Sequence, residues 1–260
     1  MPMMPPEPSG AAKGTCPSTE CRRTGRVVLQ ARVGSSRLPG KILAPVAGVP
    51  LVVRAASRLL AAAPHGLIWQ LLVATTTLPE DDATEQLCRA HGLPCFRGSP
   101  EDVLARFAAA TADLAEDDLV IRATADNPAY CPRRTEQLVA EHLRSGAHYT
   151  CIEGLSYVVP EVVHVAALRD MAMRADTPYQ REHVTPWLRE RQTPWSVVQL
   201  PRDWQGLRPD LRLTVDTPVE LDRLDRTLRL AEGDRCTTGR LAALEEIYAA
   251  YEAVGAARQE

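Results

Sequence analysis

From Val27 onward, short β-branched runs alternate with longer amphipathic ones, and this rhythm limits the fold more than any other feature of the chain. Strands are expected at 27–31, 68–75, 94–96 and 118–123, with helices at 50–63, 80–91 and 101–115 between them. A strand that returns to its own sheet through a helix does so in parallel, so the pattern predicts βαβ units and a largely parallel α/β sheet. Beyond Pro132 it continues with a helix to about Gly146, strands at 148–151 and 161–165, and helices at 165–175 and 179–191. Strands at 195–200 and 211–215 and two closing helices complete it. Ser99-Pro100-Glu101-Asp102 and Thr217-Pro218-Val219-Glu220 each offer a hydroxyl N-cap, proline at the first helical position and a carboxylate near the third. No internal repeat interrupts the series.

Residues 1–24 carry Pro, Ser, Gly, Thr and charge with hardly an apolar anchor, too little to offset the entropy of ordering them. A disordered tail over 1–24 and one domain over 25–260 is the expected organisation. A formal net charge of −3 with scattered basic residues argues against general nucleic-acid binding. No apolar stretch approaches the roughly 20 residues that cross a bilayer. The N-terminus has no apolar signal core either, so a cytoplasmic protein away from membranes is expected. Seven irregularly spaced cysteines fit reduced thiols better than a disulfide framework.

The chemistry starts in VVLQARVGSSRLPGKIL, residues 27–43, where an apolar strand enters a loop holding Arg32, Gly34, Ser35, Ser36, Arg37 and Lys41. Such a loop brings backbone N–H groups and fixed positive charge to a polyphosphate. It is not a Walker A loop, which would need Gly at Ser35 and Ser or Thr at Ile42, and it lacks the dinucleotide pattern G-x-G-x-x-G. Arginine and lysine therefore carry more of the neutralisation here than a glycine nest does. The plainer alternative makes Arg32, Arg37 and Lys41 surface cations and Gly34 an ordinary turn glycine.

Ligands of open α/β sheets gather beyond the carboxyl ends of the strands. Two carboxylates stand there: Asp126 in LVIRATADNP and Asp216 in RLTVDTP. Both are oxygen donors suited to Mg²⁺, which is usually held by one or two carboxylates with water and substrate phosphate. Alternatively, Asp216 adds to the cap of the helix at Thr217 and Asp126 makes an Asx turn with the residues after it.

QARVGSSRLPGK, VATTTLPEDD, FRGSPEDVLARF, VIRATADNP, REHVTPWL and LRLTVDTPVEL together resemble, in that order, the spore-coat-polysaccharide type of cytidylyltransferase, kin of the CMP-sialic acid and CMP-Kdo synthetases. The resemblance runs from Val27 to about Leu230. It implies a nucleotide-diphospho-sugar transferase fold, a three-layer α/β/α sandwich with a mostly parallel mixed sheet, and Mg²⁺-dependent transfer of CMP from CTP. It places the triphosphate on the loop from Arg32 to Lys41 and the metal on Asp126 and Asp216. Base selection falls to strand ends, with Ala31, Thr75, Arg97 and Ser99 as candidates.

On the acceptor side the chain departs from the pattern. GLSYVVPEVV puts Tyr157 and Val159 near the places of a glycine and an acid, and leaves Glu161 as the remaining acidic element. That weakens the case for a polyhydroxylated acceptor. Arg181 and His183, within REH, are candidates to grip a small anionic acceptor such as a sugar acid, sugar phosphate or phosphonate-like metabolite, or else form a helix-surface ion cluster. Apolar residues within 155–175 are a candidate homodimer surface. A glycosyltransferase on the same fold would want D-x-D where Asp126-Asn127-Pro128 stands. A non-catalytic nucleotide-binding regulator is the alternative of another class.

Overall fold

The computed structural model describes residues 22–154, 158–190, 194–233 and 241–256. Four parallel strands carry the first half: β1 (Thr24–Gln30), β4 (Ile68–Thr76), β5 (Cys95–Gly98) and β6 (Leu119–Thr124). They join β7 (Tyr149–Ile152), β8 (Glu161–His164) and β9 (Val197–Leu200) in one seven-stranded sheet ordered β5-β4-β1-β6-β8-β7-β9. β8 runs antiparallel to both neighbours, which makes the sheet mixed. A small hairpin of β2 (Pro45–Val46) and β3 (Val49–Pro50), too short to leave a periodic signal, closes the loop after β1.

Alternation along the strands divides the core between two faces. On one side Val27 and Leu29 of β1 and Leu119 and Ile121 of β6 pack under α1 (Leu51–Leu60), α2 (Asp82–Ala90), α4 (Pro132–Ser145), α8 (Pro218–Glu232) and α9 (Leu244–Ala256). On the other, Val28 and Val120 pack under α3 (Val103–Ala110) and α5 (Val165–Arg174), with α6 (Pro178–His183) and α7 (Pro186–Glu190) beside them. Three layers result, as the sequence pattern and its resemblance imply.

Several boundaries differ from expectation. β1 begins at Thr24, whose N–H donates to Asp118 at 2.7 Å, inside the stretch assigned to the tail; residues 1–21 lie outside the described residues. The cap of α3 is Asp102 and not Ser99, because the Asp102 carboxylate accepts from Ala105 N at 2.8 Å. The expected helix 179–191 is split at Val184, a buried residue at φ 69°, a conformation that costs a β-branched side chain. Pro186 next disfavours helical backbone at Thr185, so the chain turns there and restarts.

Leu211–Val215 is not a strand of the sheet. Its alternation is real, with Leu211, Leu213 and Val215 buried, but the segment lies against the loop after β6, where Val215 N donates to Asp126 O at 2.9 Å. The candidate dimer surface also resolves differently. Val158, Val159, Val162, Val163, Val165, Leu168 and Met171 are buried in this chain's own core, Met173 is exposed, and residues 155–157, Tyr157 among them, lie outside the described residues. The four described cysteines, Cys88, Cys95, Cys131 and Cys151, are free thiols; Cys16, Cys21 and Cys236 lie outside the described residues. Among the described residues no helix is long and apolar enough to cross a membrane.

Candidate active site

The loop after β1 is held from below by Asp81, which accepts from Val33 N at 2.7 Å. Its left-handed turn falls at Gly40 (φ 73°), not at Gly34, where an added Cβ would meet nothing nearer than Glu80 Oε1 at 3.9 Å. Gly40 caps the single 3-10 turn Lys41–Leu43 and aims Lys41 inward. The buried ammonium spends its three donors on three acceptors: Val215 O at 2.7 Å, Asp216 Oδ1 at 2.9 Å and Asp126 Oδ2 at 3.3 Å. Two carboxylates 90 positions apart thus converge on one nitrogen.

Neither carboxylate is consumed by the turn it borders. The helix after Asp216 is capped by Thr217 and Glu220 in a reciprocal capping box, and the Asx turn after Asp126 is made by Asn127, whose Oδ1 accepts from Ala129 N at 3.1 Å. Arg37 reaches Asp216 Oδ1 at 2.9 Å and Arg212 reaches Oδ2 at 2.6 Å. Burial alone would raise the Asp216 carboxyl, but the hydrogen bond and charge of Lys41, with Arg37 and Arg212, hold it below the usual carboxylate range.

Two cavities open at the carboxyl ends of β1 and β6. The smaller, about 270 Å³, is lined by Gln30, Arg32, Ser35, Ser36, Arg37 and Lys41 on the loop side. The larger, about 470 Å³, is lined by Arg122, Tyr130, Glu161, His183, Arg189 and Arg212 among others. Arg37, Thr124, Asp126 and Asp216 border both, so the converging carboxylates stand at the junction.

A family model described as Cytidylyltransferase matches residues 26–247, nearly the whole described chain. The chain belongs to that family. The spore coat polysaccharide biosynthesis protein SpsF of Bacillus subtilis is 31% identical over 211 residues, covering 80% of this chain and 87% of SpsF. A solved cytidylyltransferase from Leptospira borgpetersenii superposes with a TM-score of 0.71 at 23% identity, over 91% of this chain and 96% of its own. The structure of CMP:2-keto-3-deoxy-manno-octonic acid synthetase complexed with CTP superposes at 0.59 and 19% identity, over 78% and 97%. At those identities the superpositions speak to the fold.

The cytidylyltransferase brings only some of its sequence candidates to the cavities. Arg32, Ser35, Ser36, Arg37, Lys41, Asp126 and Asp216 line them, as do Glu161 and His183. Ala31 and Thr75 are buried, and neither lines either of these two cavities. Arg97 is turned aside into ion pairs with Asp82 and Glu85, and the Ser99 hydroxyl accepts from Asp102 N at 3.0 Å. Arg181 pairs with Asp102 at 3.0 Å, donates to Ala175 O and lines neither cavity. Sequence reasoning missed Arg122, Arg189 and Arg212. A guanidinium inside the apolar run LVIRA was the available signal for Arg122.

The donor set at the junction fits a divalent cation: two carboxylates present hard oxygens to one point, where a positive group already sits. Asp126 and Asp216 are the residues that would hold it.

Proposed function

We propose that this cytidylyltransferase transfers CMP from CTP to a small anionic acceptor, with Mg²⁺ and release of pyrophosphate. The observation that supports it most is the junction itself, where Asp126, Asp216 and Arg37 border a cationic, loop-lined cavity on one side and a second cavity on the other. The nucleotide is assigned to the first and the acceptor to the second.

In the reaction an acceptor oxygen forms a bond to the α-phosphorus while the bond to the pyrophosphate oxygen breaks. Any proton on the acceptor oxygen leaves to solvent. Arg32, Arg37 and Lys41 face the triphosphate and neutralise the charge that grows on the leaving group, and no covalent nucleophile is needed. Arg37 is the most exposed of the three, with 61% of its side chain open against 43% for Arg32 and 10% for Lys41, so it is free to move from Asp216 to the leaving pyrophosphate. Bound Mg²⁺ supplies further charge stabilisation at the α-phosphoryl group.

Incubation with each nucleoside triphosphate, Mg²⁺ and a panel of acceptors tests the reading. Pyrophosphate release is expected from CTP and only with acceptor. Turnover of another triphosphate in its place overturns the base assignment. CTP with Mg²⁺ at a hundredfold excess over its dissociation constant should stabilise the fold by about 2.7 kcal/mol, seen as a raised melting midpoint.

A further inference from the structure

The half of the larger cavity away from the phosphate loop carries an uneven charge pattern. Glu161, at the start of β8, is shared: its Oε2 is 3.3 Å from Arg122 Nη1 and its Oε1 is 4.0 Å from Arg189 Nη1. The Thr185 hydroxyl donates to Oε2 at 2.9 Å. Two guanidiniums therefore face one carboxylate whose oxygens are already engaged. Among the described residues Arg122 Nε has no hydrogen-bond partner although it is buried, and a buried donor without an acceptor is costly. Burial and excess charge both call for an anion here.

The arrangement stands on rigid elements. Arg122 and Glu161 are Cα partners across the β6–β8 pair, so the sheet register fixes their meeting. Arg189 is delivered by α7, after the left-handed turn at Val184 that also brings Thr185 onto Glu161. A planar guanidinium fork matches carboxylate or phosphonate oxygens in a way that a sugar hydroxyl cannot repay. Arg122 lies two strand positions before Thr124, which borders both cavities, a separation of about 7 Å at the rise of a strand.

We infer that Arg122 and Arg189, organised by Glu161, form a clamp for a second, non-reacting oxyanion of the acceptor, held a few bonds from the oxygen that attacks phosphorus. The inference rests on the reading of this cavity as the acceptor's. It makes the acceptor a compact bifunctional acid, and it turns Glu161 from a direct acceptor ligand into a positioning residue.

Titration calorimetry with methylphosphonate and with acetate, against glycerol as a neutral probe, tests the clamp. The wild-type chain should bind one or both anions and not glycerol; the stronger of the two identifies the oxyanion class. Arg122→Gln and Arg189→Gln should each weaken that binding at least tenfold, Arg122→Lys should weaken it less, and Arg32→Gln should leave it intact. Absence of anion binding by the wild type, equal binding by the clamp variants, or loss confined to Arg32→Gln overturns the proposal. Should Arg122→Gln fail to fold, the more exposed Arg189→Gln carries the test. The midpoint shift with CTP and Mg²⁺ is measured in parallel: a missing shift with the anion pattern intact defeats the nucleotide reading and not the clamp.

Discussion

Lys41 concentrates the chemistry of single residues in this protein. Its ammonium joins the loop after β1 to Asp126, Val215 and Asp216, so one side chain ties three distant segments together. Lys41→Met leaves two carboxylates facing each other in a mostly buried site and should cost about 3 kcal/mol in urea denaturation, along with turnover. Arg37→Ala separates chemistry from folding, because that side chain is largely exposed. It should lower kcat on the order of 10²-fold in a pyrophosphate-release assay while leaving the melting midpoint in place. Unchanged turnover in Arg37→Ala would remove the leaving-group role. Residues that look equally reactive in sequence, Arg97, Ser99 and Arg181, are held by other partners and line neither cavity.

Among the elements, α8 shows how a local signal positions a functional group. The Thr217 capping box uses Glu220, and the same carboxylate accepts from Asp216 N at 2.8 Å, so the cap also fixes the backbone that carries the site carboxylate. Thr217→Ala should cost about 1 kcal/mol in thermal unfolding. Further along, Glu232 receives a forked pair of hydrogen bonds from Arg54 of α1, both at 2.8 Å and both buried. Arg58, fully buried next to them, is pushed down to about 10 by burial, partly opposed by Glu232. Glu232→Gln strips the counter-charge from two buried guanidiniums and should destabilise by about 3–5 kcal/mol in chemical denaturation.

For the molecule as a whole, a buried histidine that lines neither cavity contributes a pH dependence. His142 of α4 is buried, its Nδ1 is 2.9 Å from Thr150 Oγ1 and its Nε2 has no partner among the described residues. Burial first, then the neighbouring His164, His148 and Arg23, push its pKa down to about 3. The unfolded chain, with a histidine pKa near 6.5, binds that proton more readily than the folded one. Its contribution is therefore complete above about pH 6.5 and is lost as pH falls toward 3. Midpoints measured from pH 7 to 4 should fall, and His142→Phe should flatten that fall; an identical slope in the variant refutes the assignment.

Much of the frame was already written in local pattern. Hydrophobic period and cap chemistry specify which residues form strands and helices, because those depend on neighbours a few positions away. Hence β1, β4, β5, β6 and α8 appear close to where periodicity puts them, and the cationic loop and Asp126 fall just beyond strand ends, whereas Asp216 follows an extended segment outside the sheet. Tertiary structure alone decided the rest. Leu211–Val215 has the period of a strand but no ladder, since alternation reports burial and not the presence of a pairing partner. Arg122 and Arg189 meet Glu161 only through an antiparallel register and a turn at a valine with positive φ, and neither event has a local signature that names its partner. Sequence determines which side chains can carry charge to a ligand, and packing determines which of those charges are left with work to do.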